Sequence, residues 1–185
     1  MLRTWITAAI ALAGCGRIRF GDNHGSSDAS SPDVPSPIVA AFEAESGQLT
    51  ALFATLPEPT ASGSAYMLDG NPDGTTGPGQ ARYGFTIDGR SSSYHVWART
   101  LAPDTASDSF FLQIDALSEL DFTTSMCTPV AGWIWVPVLD FSYSTDPTVF
   151  ALAAGAHTLV LRSREGQSKI DRFVITDDPA FVPSD

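Results

Sequence analysis

The segment Phe42-Glu-Ala-Glu45 carries two carboxylates two residues apart. On an extended chain residues i and i+2 point to the same side, so Glu43 and Glu45 would face one way. Like charges side by side destabilise a strand unless something positive lies between them. Calcium, which takes carboxylate and carbonyl oxygens, suits such a pair; a solvated strand face is the other reading. The second group with chemical potential is aromatic. Sugars bind flat ring faces through their C–H surfaces, with polar groups meeting the hydroxyls. The tryptophans Trp133 and Trp135 fall on one side of an alternating run, where they serve either such a surface or packing between sheets. Catalytic patterns do not appear. Ser62-Gly-Ser-Ala65 is not a nucleophile elbow, and no phosphate-loop, dinucleotide or zinc motif occurs. His95 and His157 lie in strand patterns and read as structural. Among 21 acids no acid–base couple stands out, so no catalytic residue is assigned and the chain reads as a non-enzyme.

The elements that must position these groups alternate with period two. In Tyr94-His-Val-Trp-Ala-Arg99 the residues Tyr94, Val96 and Ala98 share one face and His95, Trp97 and Arg99 the other. Phe110, Leu112 and Ile114 form an inward set, as do Ile134, Val136 and Val138. His157–Arg162 and Ile170–Thr176 read the same way, and Gly79–Ile87 more weakly. Turn residues separate the runs, at Asp69–Gly74, Ala102–Asp104, Ala154-Gly155 and Glu165-Gly166. No apolar stripe of helical period is present. Many short strands with regular turns predict an all-β sandwich or barrel.

The 185 residues hold 10 Lys+Arg against 21 Asp+Glu, and 43% are hydrophobic. A real core is therefore expected, and a phosphate backbone would be repelled, which argues against nucleic acid. One basic residue, the apolar run Trp5–Leu12 and small residues after it read as a secretory signal, too short to span a bilayer. Its ending, Leu12-Ala-Gly-Cys15, resembles the bacterial lipobox. That resemblance implies cleavage after residue 14 and lipidation of Cys15. Gly16 in place of Asp implies an outer-membrane or cell-surface anchor. Cys127 would then lack a partner and act as a small buried hydrophobe, the alternative being a Cys15–Cys127 disulfide. Residues 15–37, rich in Ser, Pro and Asp, read as a tether, and 38–185 as the folded domain. His24 lies in the tether and reads as solvated.

Several pieces in order resemble carbohydrate-binding modules of families 6 and 35: Phe42-Glu-Ala-Glu45, Tyr94–Arg99, Asp108–Asp115, Trp133-Ile-Trp135, Leu152–Leu159 and Arg164–Arg172. The resemblance implies a galactose-binding-like β-jelly roll. It implies a structural calcium held by Glu43, Glu45 and Asp171, and a first cleft at Tyr83 and Trp133. Those modules often carry an Asn shortly before the last-strand Asp; here Ser168 and Lys169 stand there, and they are taken as the polar ligand-binding residues. The expected function is non-catalytic binding of a polysaccharide or glycan by a monomeric, membrane-anchored surface protein. A structural or adhesive sandwich that binds a protein, and a small calcium-dependent glycan hydrolase, are the alternatives.

Overall fold

The computed structural model describes residues 36–124 and 131–185. The lipobox-like segment with Cys15, the expected tether up to residue 35, and Cys127 lie outside the described residues. Alternation becomes strands. Tyr94, Val96 and Ala98 are at most 1% exposed, whereas His95, Trp97 and Arg99 are partly exposed. In chain order the strands are β1 (Ile38–Glu43), β2 (Gln48–Ala51), β3 (Phe53–Pro57), β4 (Ala65–Asp69), β5 (Gly79–Ile87), β6 (His95–Leu101), β7 (Ser109–Ile114), β8 (Leu120–Thr123), β9 (Ile134–Pro137), β10 (Gly155–Ser163) and β11 (Lys169–Thr176). The described helices are single 3-10 turns, Ala44–Ser46 and Ser62–Ser64.

Two antiparallel sheets result, the jelly-roll sandwich the sequence predicts. One runs β3-β4-β11-β6-β9, with β1 also on β11; the other runs β2-β5-β10-β7-β8. Both bury one face. Phe110, Phe122, Leu159, Leu161, Met67 and Phe173 are fully buried between them. Rings lock the layers: Phe42 stacks on Tyr83 at 5.1 Å, and Phe53 meets Phe110 edge-on at 6.0 Å.

Strand β11 is the hub. Its residues Lys169 and Ile170 pair with β4, Arg172 to Thr176 pair with β1, and both stretches pair with β6. The register against β6 shifts between Ile170 and Arg172. Asp171 therefore sits in a bulge, which re-aims its side chain. The turn entering β11 is tightly packed. A Cβ on Gly166 would fall 2.2 Å from the Pro72 carbonyl oxygen and 2.3 Å from that of Asn71, so glycine is required there. Asn71 itself is buried, and its amide donates to Asp69 Oδ1 at 2.6 Å and Ser163 Oγ at 3.0 Å.

At the other end of the sandwich His157 on β10 bridges two acceptors. Its Nδ1 lies 2.6 Å from Asp115 Oδ2 and its Nε2 lies 2.8 Å from the Ala153 carbonyl. Two acceptors call for two N–H donors, the imidazolium form. Burial works against the charge, but the hydrogen bonds to Asp115 and Ala153 and the Asp115 charge outweigh it and raise the pKa above the usual 6.5. A raised cationic group stabilises the fold fully below pH 6.5, and the contribution is lost as pH rises through the folded value. Thermal unfolding at pH 5.5 and at 8.5 should differ in that sense, and Asp115→Asn should shrink the difference. An unchanged difference in the variant would refute the assignment.

Candidate binding face

Three acids converge where β1 leaves the sheet and β11 bulges. Glu43 closes β1, but Glu45 does not continue the strand: Ala44–Ser46 form a 3-10 turn. The expected extended Glu-Ala-Glu segment is thus corrected, and Glu45 reaches the neighbourhood of Glu43 by a turn instead of by alternation. Ala44 between them is fully buried, at the start of that turn. Glu45 titrates above its usual 4.5. Burial is the main cause, countered by a hydrogen bond from its own backbone, and the charges of Glu43 and Asp171 push it further up. Glu43 Oε2, Glu45 Oε2 and Asp171 Oδ1 are all buried without a hydrogen-bond partner. Orphaned buried oxygens are costly. As the side chains stand, no three His, Cys, Asp or Glu among the described residues are arranged as a ready-made metal cage. The orphan oxygens, however, are hard carboxylate donors of the kind calcium takes, and the three residues fit such an ion in donor chemistry.

Beside the acids, the outward face of the β3-β4-β11-β6-β9 sheet carries an aromatic and cationic cluster. Met67, Ile170 and Ala98 point into the core, so their neighbours Tyr66, Lys169 and Arg99 lie on the opposite face. Trp135 pairs with Arg99 across β6 and β9, and Trp133 precedes it on the same side. Tyr66 and Trp133 touch, with ring centroids 5.5 Å apart and planes at 59°. Lys169 Nζ lies 5.7 Å from the Tyr66 centroid, and the Arg99 guanidinium lies 5.8 Å from the Trp133 ring. Both are within cation–π range. Trp133 Nε1 is buried and has no partner. Desolvation and the charge of Glu58 raise the pKa of Tyr66, so its hydroxyl stays neutral at physiological pH. Rings in direct contact leave no slot for a sugar between them. Together they form a platform whose open part is Trp133, since Tyr66 is only 9% exposed.

The expected pairing of Tyr83 with Trp133 is not what the fold assembles. Tyr83 points inward from β5 and is 3% exposed, and its hydroxyl donates to the Ala44 carbonyl at 2.7 Å. Burial, with the Glu45 charge, pushes its pKa far up. Only its edge reaches a surface hollow of about 340 Å³ beside Arg82 and Gln48. Ser168 is also withdrawn. It is fully buried, donates from Oγ to the Glu165 carbonyl at 2.8 Å and accepts from Ser109 N–H at 3.2 Å, which fixes the turn before β11. Trp133 and Lys169 do share one face, through Tyr66, a residue the sequence reading passed over. The signal available there was the short apolar run Ala65-Tyr-Met-Leu68, which has no period of its own.

No family profile matches the chain, and no curated protein matches it. Solved structures do. The chain is similar to a family 35 carbohydrate-binding module from Clostridium thermocellum, with a TM-score of 0.56 and 12% identity over 75% of this chain and 98% of that one. It is similar to the C-terminal CBM6 of LamC from Zobellia galactanivorans, with a TM-score of 0.53 and 19% identity over 75% and 98%. An exo-β-1,3-galactanase from Phanerochaete chrysosporium matches with a TM-score of 0.55 and 14% identity over 74% of this chain, and only 29% of the galactanase is covered. The domain therefore has the fold of family 6 and family 35 carbohydrate-binding modules.

Proposed function

We propose that this chain binds a polysaccharide or glycan without cleaving it. The observation that carries this reading is the outward-facing platform of Trp133 against Tyr66, with an unpartnered indole N–H and the cations Lys169 and Arg99 at its margins. A sugar would lay its C–H face on the indole, while Lys169 and Arg99 at the margins meet hydroxyls or other oxygens. The modules with the same fold support it. A hydrolase would need two carboxylates free to act across a groove. Two acids beside the platform, Asp171 and Asp185, are instead both bound to Arg99.

In this reading Glu43, Glu45 and Asp171 hold calcium, which would supply the positive charge their orphan oxygens lack and tie β1 to β11. The lipobox resemblance at Cys15 supports a lipid anchor on the outer membrane or cell surface. The test is a glycan array and affinity electrophoresis on the full chain, with calcium and with chelator. Binding to at least one glycan class is expected; a folded, calcium-loaded protein that binds none would overturn the reading.

A further inference from the structure

Strand β5 is covered on both edges for only part of its length. β10 pairs with it from Gln80 to Ile87, whereas β2 pairs only with residues 79–82. The chain reaches β2 from the turn Ala44–Ser46, crossing between the sheets at Gly47. A Cβ on Gly47 would fall 2.4 Å from the Tyr83 ring, so only glycine fits where the chain passes that ring. Among the described residues no strand covers the remaining edge of β5, residues 83–87. Thr50 Oγ1 on β2 accepts from Gln80 N–H at 3.2 Å and donates to the Gln80 carbonyl at 3.3 Å. The peptide groups of Gln80 thus face the β2 side, and by alternation those of Gly84 and Thr86 face it too. Each presents one donor and one acceptor to the uncovered edge, about 6.8 Å apart, which is the repeat of an extended peptide.

Beside that edge lies the hollow of about 340 Å³, lined by Phe42, Ser46, Gln48, Arg82, Gly84 and Thr158. Gly84 points outward, and nothing stands within 4 Å of where its Cβ would be. That gap leaves room for a side chain from another strand. Arg82 brings the charge. The guanidiniums of Arg90, Arg99, Arg162, Arg164 and Arg172 all have acidic neighbours, whereas that of the exposed Arg82 has no ion pair or hydrogen bond among the described residues. Other borders of the two sheets are blunted against pairing. β3 and β9 end in Pro57 and Pro137, which lack an N–H. β2 is only four residues long. On β8 the Asp121 carbonyl accepts from Phe141 N–H at 2.9 Å, and its own N–H meets Asp140 Oδ1 at 3.4 Å. Residues 83–87 contain no proline and no lysine.

We infer that residues 83–87 are a strand-addition site for an extended acidic peptide of a partner protein. The partner strand pairs with the peptide groups of Gly84 and Thr86 and continues the line of β2. Its residue opposite Gly84 shares the outward face and stands diagonal to Arg82, within reach of a long side chain. An acid at that position gives the guanidinium its missing partner. The residues on either side of the acid turn inward toward the partly buried Phe42 ring, which selects an apolar-acid-apolar pattern. In a chain of net charge −11, with its other described arginines engaged, Arg82 sets the register. The site lies on the sheet opposite the Trp133 platform and does not depend on the glycan-binding reading.

The experiment titrates the isotope-labelled full chain with the blocked peptide Thr-Val-Asp-Val-Thr, whose β-branched residues favour the extended form, and with the same peptide carrying Lys in place of Asp. The Gly84 and Thr86 amide resonances should shift with the acidic peptide, and the Lys peptide should bind about ten-fold more weakly. Arg82→Glu should reverse that preference. Thr86→Pro removes one edge N–H at a border position where proline is tolerated, and should abolish binding. Both side chains are exposed, so both variants should keep the wild-type melting transition. Gly84 and Thr86 resonances that stay in place, equal binding of the two peptides, or binding that survives Thr86→Pro overturns the site. If Thr86→Pro does not fold, the Arg82→Glu reversal decides alone: its presence supports the site and its absence overturns it.

Discussion

Replacing Trp133 by alanine weakens glycan binding by about 2 kcal/mol or more, on the order of 30-fold in Kd, the usual range for a buried-edge tryptophan at the centre of a contact. The expectation rests on what that residue alone supplies. Trp133 is the open ring of the platform, since Tyr66 beneath it is 9% exposed and Tyr83 lies in the core. Trp133→Phe keeps a smaller aromatic face, so it should retain binding at a level between wild type and alanine. Because Trp133 also packs on Tyr66 and under Arg99, melting temperatures of both variants must accompany the titrations. A folded Trp133→Ala protein with wild-type affinity would remove the platform from the site.

The fold was largely legible, because alternation is a local property. Tyr94, Val96, Ala98, Phe110, Leu112 and Ile114 could be read as inward without knowing their partners, and all are buried. Gly79–Ile87 looked weaker since its outward positions are Gln80, Arg82, Gly84 and Thr86, yet it is a nine-residue strand pairing with both β2 and β10. The short strands β2, β3, β4 and β8 gave too few residues to establish a period, and their existence depends on neighbours. The site was less legible for the same reason. Tyr66 meets Lys169 and Trp133 only because β4 pairs with the first two residues of β11 and β9 pairs with β6, which is long-range information. Tyr83 and Tyr66 have the same chemistry, and only strand pairing decides which one turns outward. Ser168 illustrates the converse: a polar residue next to a candidate ligand site is consumed by the turn that positions it. The contact of Asp185 with Arg99 depends on a segment folding back across a sheet, which no local pattern encodes.

Calcium should stabilise the domain, and Asp171→Ala should abolish that effect. At an ion concentration about 100-fold above Kd, binding to the native state alone adds about 2.7 kcal/mol, roughly 5–10 °C in melting temperature for a domain of this size. Each of the three acids has a buried oxygen lacking a partner. Asp171 is fully buried in the β11 bulge and also binds Arg99. Its loss should cost about 3 kcal/mol even without the ion, in the range seen when one partner of a buried pair is removed. That cost alone does not prove an ion site, so Glu45→Gln is the sharper variant. The carboxyl of Glu45 is raised above 4.5 by burial and by its acidic neighbours. A raised acid favours the protonated native state, so in chelator the wild-type protein loses stability as pH climbs from 4.5 through the folded value. Glutamine removes that penalty. In chelator at pH 7, Glu45→Gln should therefore melt higher than wild type, and in calcium it should melt lower. This inversion, read by scanning calorimetry, has no counterpart in a purely structural role. If calcium leaves both melting temperatures where they were, Glu43, Glu45 and Asp171 do not form an ion site.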